Sequence, residues 1–252
     1  MGHPVATLDV CKARDLISPR SGERWGHEAL SGYLTELVGD SDSANLSVAG
    51  RLVLHAQTAG ELVAWVTTRR DIFFPPDLAA VGVDLDTLPV VWAEEGADAV
   101  PGDEYIARGG KSIRPTASAA RDGNSQRAGK GRTSPGFRGK LAGRAVRATE
   151  RLLRSGAFGL VVIDLADGYV LHPVGQGRLL RLAKTHDAQV LILRPGRADG
   201  VYGGSLVTVR VESRRERIAP GRFRCTITNI KDKREGPGWT TSEEFDGPPG
   251  VY

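Results

Sequence analysis

With two cysteines, one methionine and 6% aromatic residues, the chain is poor in the side chains that most often carry redox, metal and stacking chemistry. Cys11 and Cys225 stand near opposite ends, without the paired spacing of a zinc site or the density of a disulfide framework, and a reducing compartment is expected. His3, His27, His55, His172 and His186 show no ligand-like interval, so no metal is expected. Long apolar runs are missing as well. No window approaches the roughly 20 residues of a membrane-spanning helix, and the opening MGHPVATLDVCKARD lacks the apolar core of a signal peptide. A cytoplasmic protein without membrane contact is the expectation. The charge excess is also slight: 34 basic against 30 acidic residues leave a net +4, which alone gives no reason to expect a polyanionic partner.

What remains is an ordinary apolar fraction of 40% spread over 252 residues, enough for one sizeable core. Residues 1–31 mix charge, Pro and Gly and read as an N-terminal arm with a short helix around Val10 to Ile17; residues 32–252 read as one domain. Within it, Tyr33 to Val38 predicts a strand, and Leu46, Ala49, Val53 and Ala56 follow at helical spacing up to Gly60. LVAWVT over 62–67 is a continuous apolar run of the kind buried on both faces of a parallel sheet. A short helix through Leu78 to Val81 and a strand at Leu88 to Trp92 come next.

Residues 96–139, rich in Gly, Ser, Ala, Arg and Lys, are expected to form a flexible insertion. Leu141, Ala145, Ala148 and Leu152 then mark a helix, Leu160 to Asp164 a strand, Leu179 to Ala183 a helix and Gln189 to Leu193 another buried strand. Leu206 to Glu212 and Phe223 to Ile230 predict an antiparallel pair about the turn Ala219-Pro220-Gly221. The sum is an α/β fold, a mostly parallel sheet with an antiparallel C-terminal edge and helices on both faces.

A strand, then Gly39-Asp-Ser-Asp-Ser-Ala44-Asn45-Leu46, then a helix is the setting of a phosphate-binding loop. Its chemistry is absent. A working loop needs a second glycine, a lysine and a magnesium-ligating hydroxyl, and those positions hold Ala44, Asn45 and Leu46. Asp40 and Asp42 add negative charge where a triphosphate would sit. No nucleotide cofactor is therefore expected. Asp164 ends its strand where a magnesium-binding carboxylate would stand, although a lone Asp there is more often a structural or capping residue than a catalytic one.

Collinear segments carry a resemblance to the RecA family, and more closely to the truncated RecA-like proteins of the ImuA type. They are GYLTELVGDSDSANLS, AWVTTRRDIFFPPDLAAVGVDLDTLPVVW, LLRSGAFGLVVIDLADG, GGSLVTVRVESRRERI, Asn229-Ile-Lys231-Asp-Lys233 and PGWTTSEEFDGPPGVY. The resemblance covers most of residues 32–252 outside the insertion. It implies a RecA-like, P-loop NTPase-like core with a degenerate phosphate loop. Where RecA carries a glutamate that orients the attacking water, this chain offers Arg69 or Arg70, so the resemblance implies a pseudo-ATPase. The segments matching the two DNA-gripping loops, Leu165 to Gln176 and Arg194 to Tyr202, are short, and filament assembly on DNA is not expected; a smaller homo-oligomer is left open.

Lys231 and Lys233 match lysines that reach a neighbouring protomer in RecA filaments. The resemblance thus implies contact with RecA through that pair, and with ImuB, in damage-induced mutagenesis. A charged hairpin end is the bland alternative. From Arg108 to Lys140 lie nine cations opposed by Asp122; Lys111, Arg114, Arg127, Lys130 and Arg132 are candidates for DNA or partner contact, set against a solvated linker. Weak or indirect DNA binding is the expectation. Three functions stay open: a non-catalytic accessory protein of the SOS response supporting translesion synthesis, a divergent DNA-repair ATPase using Asp164, and a RecA-like cell-division inhibitor.

Overall fold

The computed structural model describes residues 24–40, 43–68, 75–93, 135–166, 168–196 and 204–247. Eight strands form one sheet in the order β3-β2-β4-β5-β1-β6-β7-β8. Its parallel centre consists of β1 (Leu34–Gly39), β2 (Leu62–Thr67), β3 (Val90–Trp92), β4 (Phe158–Asp164) and β5 (Gln189–Pro195). β6 (Val209–Ala219) adds in parallel to β1, and β7 (Arg222–Asp232) and β8 (Thr240–Asp246) continue antiparallel. The α/β class, the parallel centre and the antiparallel edge agree with expectation.

The apolar runs of β1, β2, β4 and β5 are buried on both sides because helices cover both faces. α2 (Asn45–Thr58) and α3 (Pro75–Ala80) pack Val48, Leu52, Val53 and Leu78 on Leu37, Trp65, Leu160 and Val162. α4 (Pro135–Arg154) and α5 (Pro173–His186) pack Leu141, Ala145, Leu153 and Leu179 on the alternate residues Leu34, Val161, Ile163 and Ile192. The chain steps toward β3 through α2 and α3 on one face and returns through α4 and α5 on the other, so the crossovers share one hand. α5 starts at Pro173 behind His172, whose Nδ1 accepts the Val174 amide at 3.3 Å, and ends at Asp187 with φ 50°.

Three boundaries differ from expectation. α4 begins at Pro135, inside the stretch assigned to the insertion; proline at the first turn starts a helix that has few large apolar groups to signal it. Within the stretch read as an N-terminal arm, the described residues make core contacts: α1 (His27–Leu30) buries Leu30, and Trp25 meets Trp239 with ring centroids 6.5 Å apart. β8 was not expected at all. The helix around Val10 to Ile17 lies outside the described residues.

β6 pairs with β1 only as far as Glu212, then runs seven residues further to Ala219, about 23 Å beyond the last shared rung at ~3.3 Å per residue. With β7 and β8 it forms a three-stranded ribbon that overhangs the carboxyl ends of the parallel strands.

Candidate functional site

In open α/β sheets ligands bind outside the carboxyl ends of the strands, where successive crossovers diverge to opposite faces. Here β1 sends its chain to α2 on one face and β4 sends its chain to α5 on the other. Gly39, Ala44, Asn45 and Leu46 occupy that edge at the junction of β1 and α2.

The loop's described residues bond to one another and to β5 and β6. A Cβ on Gly39 would lie 2.2 Å from Ser43 Cβ and 3.0 Å from Asn45 Oδ1, so the chain folds back onto the end of β1. Ser43 N–H donates to the Asp40 carbonyl at 3.1 Å, and Gly196 N–H donates to the Gly39 carbonyl at 2.8 Å. Ala44, the N-cap of α2, has no capping side chain of its own; its amide donates to Ser213 Oγ at 3.0 Å. Ser213 Oγ in turn donates to Asn45 Oδ1 at 2.7 Å, and Asn45 Nδ2 reaches the Arg194 carbonyl at 3.5 Å. Leu46 packs against the apolar core. The residue in the lysine position is thus turned into β5 and β6, and the residue in the hydroxyl position joins the core.

Asp164 is 1% exposed at the end of β4. Its Oδ2 accepts Thr67 Oγ1 at 3.2 Å, and its carbonyl accepts the Thr68 amide at 3.0 Å, so Asp164 joins β2 to β4. By register it is level with Leu193 and Leu37, two strand spacings from β1, about 10 Å. Among the described residues no group of three or more His, Cys, Asp or Glu is arranged to hold a metal.

Sequence reasoning missed the buried ion triad beside this edge. Glu36 on β1 accepts Arg194 Nε at 2.8 Å and Arg210 Nε at 2.6 Å, and all three side chains are at least 89% buried. Register explains the grouping, because Glu36 pairs with Arg210 on β6 while Arg194 on β5 pairs with Val38 on the same face. The signal was present as single charges inside otherwise apolar strands, TELVG, LILRP and VRV.

Lys231 lies opposite Arg210 on that face, level with Glu36 and three residues short of Gly39, about 10 Å down the strand. Its Nζ donates to the Gly204 carbonyl at 3.3 Å, and Lys233 Nζ donates to the Ser205 carbonyl. Burial lowers the Lys231 pKa, helped by the charges of Lys233 and Arg210. The pair therefore ties down the start of the segment leading into β6, and it is not brought to the Gly39–Leu46 junction of its own chain. Nearby, Asp232 accepts Arg234 Nε at 3.0 Å, Arg234 Nη2 at 2.9 Å and Trp239 Nε1 at 3.3 Å. Burial pushes the Asp232 pKa up, but the hydrogen bonds and charge of Arg234 outweigh it and the net shift is downward. Lys111, Arg114, Arg127, Lys130 and Arg132, with Asp42, Arg69 and Arg70, lie outside the described residues.

No model of a known protein family matches the chain, and no curated protein matches it.

Proposed function

We propose that the chain is a non-catalytic accessory protein of the DNA-damage response, a RecA-like core of the ImuA type. In this reading it binds RecA, ImuB or both, regulates RecA and supports error-prone translesion synthesis. The observation that carries the non-catalytic part is the closed loop at Gly39–Leu46. The Ser43 and Ala44 amides and the Asn45 side chain, which would face a polyphosphate there, are engaged inside the chain, by the Asp40 carbonyl and by Ser213. A ligand would have to displace bonds already made, with no cation in the loop to offset their loss. The sheet order supports a RecA-like core in one respect: it sets Gly39 and Asp164 at the same edge of one sheet.

Titration with a fluorescent ATP analogue and magnesium tests the loop; no binding is expected, and micromolar binding abolished by Asp164→Ala overturns this reading in favour of a divergent ATPase. Pull-down with RecA and ImuB tests the partners, with and without single-stranded DNA and ATP. Capture of a division protein in the absence of both points to the division inhibitor instead. Lys231→Ala with Lys233→Ala is expected to weaken only the filament-bound form, since both lysines must leave the Gly204 and Ser205 carbonyls to reach another protomer.

A further inference from the structure

The net charge of +4 conceals a concentration of cations in two helices. α4 carries Arg138, Lys140, Arg144, Arg147, Arg151 and Arg154 against Glu150 alone, and α5 carries Arg178, Arg181 and Lys184 with no acid. These two helices hold nine cations and one carboxylate, a net +8, so the rest of the chain is net −4. Across the sheet, α2 contributes Arg51 as its single Lys or Arg, and α3 contributes Asp77.

Geometry makes one surface of these charges. α4 and α5 pack side by side on the same face of the sheet and bury Leu141, Ala145, Leu153 and Leu179 beneath them. Arg147, Arg151, Arg154, Arg181 and Lys184 are exposed on the outer sides. Glu150, the one carboxylate of the layer, is already paired with Arg178 across the two helices, Nε to Oε1 2.6 Å. The spacing 147, 151, 154 keeps three guanidiniums on one side of α4 over about 10 Å, and Arg181 and Lys184 add a parallel row on a helix that packs 8–10 Å away, roughly.

We propose that the α4/α5 face docks the phosphate backbone of duplex nucleic acid without reading its sequence. One strand of a duplex presents a phosphate about every 3.4 Å of axis, so the α4 row spans about three phosphates. Arginine is suited to bidentate bonds with phosphate oxygens. Sequence-blind binding of single strands relies on aromatic platforms, whereas α5 has no aromatic residue and α4 has only Phe137, in its first turn. An anionic membrane would call for exposed aromatic or leucine side chains between the cations, and the exposed side of α4 over 147–154 carries none. The surface stands apart from the Gly39–Leu46 junction, across the sheet from α2, and duplex binding is read without RecA present, so a chain that binds duplex but not RecA retains this proposal and loses the functional one.

The full chain is titrated onto a labelled duplex by fluorescence anisotropy across a salt series. Five phosphate contacts predict a slope of log affinity against log salt of about −4.5, or about 500-fold weakening between 50 and 200 mM. Changing Arg147, Arg151, Arg154 and Arg181 together to Gln, which preserves helix propensity, is expected to weaken binding at least ~10-fold at low salt and to flatten the slope by about 3.6. Circular dichroism and Tm monitor its fold. If that variant does not fold, each single exchange is expected to flatten the slope by about 0.9. An unchanged slope overturns the proposal, as does absence of duplex binding at low salt. Two other results do so as well: loss of the whole slope when Lys111, Arg114, Arg127, Lys130 and Arg132 are exchanged instead, and tighter binding to phosphatidylserine vesicles than to duplex.

Discussion

Changing Glu36 to Gln isolates the buried ion triad. The substitution keeps the shape and one acceptor oxygen but removes the negative charge between two guanidiniums whose side chains are 7% and 11% exposed. Each Arg–Glu contact is shorter than 3 Å. A pair at contact distance is worth about 4 kcal/mol at an effective dielectric constant near 20, before the cost of desolvation. What the exchange leaves is two buried like charges without a counterion, a situation that costs about 3–5 kcal/mol when one partner of a buried pair is lost. Against a typical domain stability of about 5–15 kcal/mol the variant is expected to fold with a much lower urea midpoint and an unchanged m-value. Replacing Glu36, Arg194 and Arg210 together by Met removes the charges along with their desolvation cost, and its stability should return to the parent's or rise above it by about 1–4 kcal/mol. A Gln variant within about 1 kcal/mol of the parent by urea denaturation would refute the reasoning, since a triad so well buried has no solvent to screen it.

Ser213→Ala removes both the acceptor of the Ala44 amide and the donor to Asn45; a loss of about 1–3 kcal/mol is expected in denaturant titrations, with faster hydrogen exchange at the start of α2. Asp232, whose folded pKa lies below its ordinary 3.8, contributes stability that is complete above that value and is lost as pH falls through the folded pKa. Asp232→Asn should therefore destabilise the chain at neutral pH and flatten the acid limb of its stability curve, measured by Tm from pH 2 to 7, roughly the carboxylate range. Burial pushes the Cys225 thiol up to about 11, so in a Cys11→Ser background the folded chain should react with a thiol reagent at neutral pH only as fast as it opens, and promptly in urea.

Much of the architecture was legible because burial on both faces demands the continuous apolar runs seen at 62–67, 158–163 and 189–193. β8 escaped because its solvent-facing sequence TTSEEFD offers Phe245 as its one large apolar residue, and its pairing with β7 is set by register rather than by a hydrophobic pattern. The position of the loop at Gly39–Leu46 was legible from strand, turn and helix signals. Its closure was not, since Ser213 lies 169 residues from Ala44 and a lone Ser within VRVESRR carries no mark of that contact. Glu36, Arg194 and Arg210 looked like ordinary polar punctuation until the strand order made them neighbours. Net charge is silent for a related reason: a single total cannot register that nine cations gather on two neighbouring helices.

β1 is made first and enclosed last. Its two neighbours, β5 and β6, begin at residues 189 and 209, so at about 5–20 residues per second a ribosome takes roughly 8–30 s after finishing β1 to deliver the first of them. For that interval an apolar strand waits with both hydrogen-bonding edges open, exposed to mispairing with other nascent chains. Any truncation before β5 leaves it in that condition permanently, and such fragments should be recovered as aggregates.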